Sequence, residues 1–151
     1  MIWKPSVTVA TVVEQDGKYL LVEEEPEAGL GLFFNQPAGH LDPGESIIQG
    51  AIRETLEETA YTFAPDYLLG IYQWHSQRAG ITYIRFAFAG RVTHHDPSRV
   101  LDTGIVRAVW LSFDEILRES HRHRSPLVMQ CIQDHRAGKR YPLELLTHYE
   151  S

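Results

Sequence analysis

Apolar and polar positions along the chain change period several times, and each change marks an element. Val7 to Val13 is rich in β-branched residues and reads as a strand. Asp16-Gly17 marks a turn into Lys18 to Glu24, where Tyr19, Leu20, Leu21 and Val22 run apolar as in a buried partner strand. Leu32 to Phe34 reads as a short extended piece. Asn35 to Gly44 carries two prolines and two glycines, which predicts an irregular loop. The period then becomes helical: Ile48, Ile52 and Thr55 recur on one face, with Ala51 and Leu56 beside them. Ser46 followed by Gln49 forms a capping box that opens this helix, which should end near Thr59. Leu68 to His75, Ile81 to Val92 and Val106 to Leu111 read as further strands. Ser112 followed by Glu115 repeats the capping box before a short helix, and Ser125-Pro126 opens a longer one that should stop near Gly138. The order β-β-β-α-β-β-β-α-α predicts one α/β domain over residues 1–151, with a mixed sheet between helices.

Composition narrows the setting. A length of 151 residues suits one compact domain, and 43% hydrophobic with 23% charged residues suits a globular chain with a core of its own. The lone Cys131 has no internal disulfide partner and sits in a predicted helix, which favours a buried thiol and a reducing compartment. No apolar run reaches the length of a membrane span, and Met1 to Val13 lacks the basic flank and cleavage site of a signal peptide. The expectation is a cytoplasmic protein that is not bound to a membrane. Fourteen basic against 20 acidic residues give a net charge of −6, which argues against nucleic-acid binding through a broad basic surface. An acidic protein can still bind phosphates if a divalent cation lies between. The eight histidines are scattered along the chain, His121 and His123 lie close together, and no zinc-ligand spacing emerges.

The chemistry is concentrated in Gly39 to Tyr61, GHLDPGESIIQGAIRETLEETAY. Glu54 and Glu58 are four apart and stack on one helix face, and Glu57, three from Glu54, borders that face. Carboxylates brought together in this way repel unless a cation sits between them, and hard oxygen ligands suit Mg²⁺ or Mn²⁺. A solvated charged face explains the same spacing. Arg53 stands four before Glu57 and can hold it, and Glu45 can reach the same guanidinium. Gly39, without a Cβ, lets the preceding loop approach the acidic helix closely.

These residues resemble the signature of the Nudix hydrolase family, G-x5-E-x7-R-E-U-x-E-E-x-G-U, with U aliphatic. Gly39, Glu45, Arg53, Glu54, Glu57 and Glu58 occupy the required positions. Thr55 and Tyr61 depart from the aliphatic positions, and Ala60 stands where the family has glycine. A left-handed alanine at the helix end would cost roughly 1–2 kcal/mol, unless the helix runs one residue further. Further stretches, VTVATVV, NQPAGHLD, YQWH, IRFAFAG and SPLV…CI…GKRYPLE, resemble a branch of bacterial phosphatases within the family. The resemblance implies a Nudix-type αβα sandwich. It also implies magnesium-dependent hydrolysis of nucleoside tri- and diphosphates, with release of orthophosphate. Thiamine pyrophosphate and its hydroxymethylpyrimidine pyrophosphate precursor are implied substrates too.

Carried over by position, the resemblance makes Glu54 and Glu58 the favoured metal ligands, with Glu57 a further ligand or anchor and the Ala38 carbonyl completing the site. Glu45 and Arg53 would orient the carboxylates, and Glu58 would be indispensable to turnover. The family often draws its general base from an acid six positions before a later tryptophan. Gly104 holds that place before Trp110, which leaves Asp102, an ordinary loop aspartate on the other reading, or Glu57. For substrate, Arg85 faces either solvent on an edge strand or an anion, since a guanidinium is expensive to bury alone. Trp74 and Phe34 are candidates to stack on a base, or are core. His40 replaces the second glycine of the family's loop and either contacts a phosphate or caps the loop. Arg124 is a further phosphate candidate.

Two rivals remain at this stage. One is a pyrophosphatase cutting an internal bond in a nucleoside diphosphate sugar or ADP-ribose. The other is a non-catalytic nucleotide-binding module on the same fold, disfavoured because every acidic signature position is present. A monomer and a homodimer are both compatible with the sequence.

Overall fold

The computed structural model describes residues 1–150. These residues form seven strands and three α-helices in the order β1 (Ser6–Gln15), β2 (Lys18–Glu24), β3 (Phe33–Asn35), β4 (Ala38–His40), α1 (Ile47–Thr59), β5 (Tyr61–Ser76), β6 (Ile81–His95), β7 (Ile105–Ser112), α2 (Phe113–Arg118) and α3 (Leu127–Arg136). The sheet is mixed. β1 runs parallel to β6 over Ser6 to Val13 and antiparallel to β2 and β4, while β5 closes antiparallel onto β6. β2 in turn carries β3 and β7.

β1 shows why the sheet needs helices on both sides. Val9, Ala10, Val12 and Val13 are all buried, as expected for a strand covered on both faces. Ala10 and Val12 pack with Ala87, Ala89, Cys131 and Ile132 on the α3 side. Val9 and Val13 pack with Ala51, Phe63 and Phe88 on the α1 side. The α/β sandwich with a mixed sheet is therefore present as expected.

Both capping boxes form. Ser46 Oγ accepts from Gln49 N–H at 3.1 Å while Gln49 Oε1 accepts from Ser46 N–H at 2.8 Å, and Ser112 and Glu115 do the same. α1 ends at Ala60, which is left-handed at φ 64°, so the helix does not run on past the missing glycine. The hydroxyl of Thr55 faces inward and meets Thr11 Oγ1 at 2.9 Å.

Two expectations need correction. Asn35 to Gly44 is not wholly irregular: Ala38–His40 forms β4, pairing with Thr8, Val9 and Ala10. Pro37 does not prevent this, because it contributes only its carbonyl, which accepts from Thr11 N–H at 3.0 Å. β5 begins at Tyr61, directly after α1, rather than at Leu68. Pro65 hides the strand in the sequence, and register shifts at Thr62/Phe63, Pro65/Tyr67 and Leu68/Gly70 accommodate it.

Candidate active site

The C-terminal half of α1, β4, the end of β2 and the loop from Leu101 to Gly104 converge on one group of carboxylates. Oxygens of Glu54, Glu57 and Asp102 all lie within 4.8 Å of one another. The helix supplies the first two. Asp102 arrives by tertiary contact: its N–H donates to the Glu57 carbonyl at 3.0 Å, and its own carbonyl accepts from Ile105 N–H at 3.0 Å. Gly104, at φ 93°, completes the turn, and its carbonyl accepts from Glu25 N–H at 2.8 Å at the end of β2.

Arg53 organises the near side. Its guanidinium donates to Glu45 at 2.7 and 2.9 Å, to Glu54 at 2.9 Å, to Glu57 at 2.7 Å and to the His40 carbonyl at 2.9 Å. Asp42 joins at 3.3 Å, a partner not foreseen in the sequence. The hydrogen bond from Arg53 holds the Glu45 carboxyl below its ordinary range, and Arg53 is itself held protonated more firmly than usual, Glu45 being the largest cause. Gly39 lies against the carboxylate of Glu54, and a methyl group there would overlap it.

Glu58 stands apart from that trio. It is buried, and its Oε1 accepts from Ala38 N–H at 2.9 Å. Pairing of Val9 with Gly39 turns the N–H and C=O of Ala38 away from β1, so its carbonyl shares an edge with the one that Arg53 binds at His40. Burial raises the Glu58 carboxyl to about 9, and Glu54, Glu24 and Asp102 push the same way against the Ala38 hydrogen bond. Burial also lifts Glu54 to about 7, with Glu57 and Asp102 adding to it and Arg53 opposing. Asp102 is raised, by desolvation first and then by Glu57. Negative charge thus exceeds what one arginine can balance. An all-oxygen donor set under such repulsion fits a hard divalent cation.

The candidate substrate residues fare unequally. Phe34 is 3% exposed, packed in the core, with the Arg122 guanidinium 4.5 Å from its ring centroid. It has no free face for a base, which corrects the stacking expectation. Arg85 is neither on an edge strand nor in solvent: β6 is flanked by β1 and β5, and the residue is 5% exposed. Its guanidinium is occupied by Gln36, Asn35 and Cys131 rather than by an open site. Trp74 is half-buried and stacks on Tyr83 with centroids 5.6 Å apart. His40 is exposed at the end of β4. Arg124 pairs with Glu24 at 3.2 Å. Glu24, missed in the sequence, ends β2 with its carboxyl raised by burial while Arg124 and Arg85 oppose, and its charge bears on Glu58. An acid closing an apolar strand was the available signal.

With this geometry in place, comparison with known proteins decides the family. The profile of the NUDIX domain matches residues 3–130. The chain belongs to the Nudix family. As a Nudix hydrolase it acts on phosphorus-containing anhydrides. It is similar to the phosphatase NudJ of Escherichia coli K12, with 40% identity over 145 residues, covering 96% of this chain and 92% of that one. A Nudix hydrolase structure from Nitrosomonas europaea matches with 61% identity and a TM-score of 0.95, covering 97% of this chain and 98% of that one. The Nudix domain of Shewanella oneidensis NrtR, solved with ADP-ribose, shares the fold at a TM-score of 0.71 and 21% identity, covering 91% and 90%. Nudix hydrolases generally use divalent metals, and the acidic cluster is of the kind that could hold one. Among the described residues, no helix is long and apolar enough to cross a membrane.

Proposed function

We propose that this Nudix hydrolase removes the terminal phosphate from nucleoside di- and triphosphates and from small pyrophosphates, thiamine pyrophosphate and its hydroxymethylpyrimidine precursor among them. The observation that carries the reading is the approach of Glu54, Glu57 and Asp102 to within 4.8 Å beside the buried Glu58. Glu54, Glu57, Glu58 and the Ala38 carbonyl would hold the cation, Mg²⁺ with Mn²⁺ as substitute. When bound, it would neutralise phosphate charge and polarise the phosphorus–oxygen bonds.

The remaining work falls to the chain. Asp102, exposed at the rim, or Glu57 beside it accepts the proton of the attacking water. The water oxygen bonds to the terminal phosphorus, the bridging oxygen departs with the bonding electron pair, and orthophosphate is released. Arg53 and Glu45 keep Glu54 and Glu57 in place, and Gly39 keeps β4 close enough for Ala38 to take part. His40 and Trp74 remain the proposed substrate contacts. The similarity to phosphatase NudJ supports terminal rather than internal cleavage.

We further propose that residues 1–151 work as one domain in the reducing cytoplasm, where the free, buried Cys131 fits, as a monomer or homodimer with small phosphorylated molecules as partners. The test is product identification with a nucleoside diphosphate and magnesium. Free orthophosphate, lost on chelation, is expected. A nucleoside monophosphate released only from ADP-ribose would favour internal cleavage, and no turnover of either would leave a binding module.

A further inference from the structure

Arg85 sits in register with Thr8 of β1 and Tyr72 of β5, on the face of the sheet covered by α3. A guanidinium that is 5% exposed is costly unless its donors are met. Its two terminal nitrogens are engaged by neutral groups: Nη1 donates to Gln36 Oε1 at 2.9 Å and Cys131 Sγ at 3.8 Å, and Nη2 to Asn35 Oδ1 at 3.1 Å. Among the described residues, no carboxylate lies within ion-pair distance of it.

Two of these partners are consecutive and lead through Pro37 into β4. Gln36 is fully buried, and its amide also donates to the Val128 carbonyl at 2.8 Å, tying the segment to α3. Next comes Pro37, whose carbonyl accepts from Thr11. Ala38 follows, and its N–H holds Glu58 at 2.9 Å. Four consecutive residues, hydrogen-bonded at each end, thus join a buried cation on one face of the sheet to a buried acid on the other.

We propose that Arg85 is a positioning residue for the carboxylate centre, fixing Asn35 and Gln36 and, through them, the Ala38 backbone that holds Glu58. This rests on the reading that Glu58 and Ala38 belong to a cation site. It reassigns Arg85 from phosphate binding, since the side chain is buried and both of its terminal nitrogens are already engaged within the fold. Groups acting behind ligands in this way typically alter metal affinity about 10- to 100-fold when removed.

The test titrates chelator-stripped protein with Mn²⁺ and follows free manganese by electron paramagnetic resonance. Arg85→Met should bind Mn²⁺ about 10- to 100-fold more weakly, with Arg85→Lys intermediate. At saturating manganese the substrate KM should stay within about twofold of the parent, because no uniform substrate contact is lost. Unchanged Mn²⁺ affinity in soluble Arg85→Met overturns the proposal, whatever happens to its melting temperature. So does a raised KM with normal Mn²⁺ affinity, which would return Arg85 to the substrate. If Arg85→Met does not fold, Asn35→Ala at a half-buried position carries the test, and normal affinity there overturns it equally. Absence of Mn²⁺ binding in the parent protein is a different result, one that removes the cation site itself.

Discussion

Stripping the cation should make the protein's stability fall as pH rises. The unfolded carboxyl of Glu58 titrates near 4.5, but in the fold it is raised to about 9, and Glu54 to about 7. Between those values the folded chain keeps protons that the unfolded chain has released. Stability is therefore fully present below about pH 4.5 and is lost as pH climbs towards about 9. At about 1.4 kcal/mol for each pH unit of displacement, the two glutamates withdraw several kcal/mol from a total of about 5–15 kcal/mol. Glu24, Glu57 and Asp102 surround the pair and add repulsion, while Arg53 relieves Glu54. His135, whose proton affinity is lowered by burial, contributes the opposite slope up to its ordinary range. Magnesium held there would stabilise the ionised glutamates and should remove the loss, while His135 affects both titrations alike. Urea midpoints measured from about pH 5.5 to about pH 8.5 should drop by about 1 M or more in chelator, given about 1–3 kcal/mol per molar urea. They should hold nearly level in saturating magnesium, and Glu58→Gln should flatten the chelator series. Parallel slopes with and without magnesium would refute the reasoning.

Other substitutions test separate parts of the account. Arg53→Lys replaces a fork that reaches Asp42, Glu45, Glu54 and Glu57 with a single ammonium. Calorimetry should show magnesium affinity reduced by about 10- to 100-fold with a stability loss of only about 1 kcal/mol; unchanged affinity contradicts the orienting role. Thr55→Val leaves the Thr11 hydroxyl buried without its partner, at a cost of about 1–3 kcal/mol in urea, and adding Thr11→Val should recover much of that. A double variant as unstable as the sum of the singles rejects the pairing. Ala60→Gly relaxes the left-handed helix end and should raise the melting temperature by about 2–4 °C.

What was legible beforehand was local. Ser46 with Gln49 and Ser112 with Glu115 depend on residues a turn apart, and the structure keeps both capping boxes; of the three helix glutamates it brings Glu54 and Glu57 together. The inward hydroxyl of Thr55 could be flagged as needing a partner, but Thr11 lies on a distant strand and nothing nearby points to it. Long-range choices were harder. β4 is three residues long and held by pairing to β1, so its own composition reads as loop. Pro65 masks the first part of β5 because the proline is absorbed at a bulge. Helical spacing groups Glu58 with Glu54, yet burial and the Ala38 N–H draw it aside, and Asp102 joins Glu54 and Glu57 instead. Arg85 and Phe34 looked available for ligands because the side chains that enclose them come from β3, α3 and the turn after α2.

The most direct test of the central claim is the anomalous scattering of manganese in crystals grown with a non-hydrolysable nucleoside diphosphate analogue. The account predicts a peak about 2.0–2.3 Å from oxygens of Glu54 and Glu57, on the side facing Ala38 and Glu58, with the terminal phosphate beside it. Manganese found elsewhere, with these carboxylates contacting only Arg53 and solvent, would contradict it.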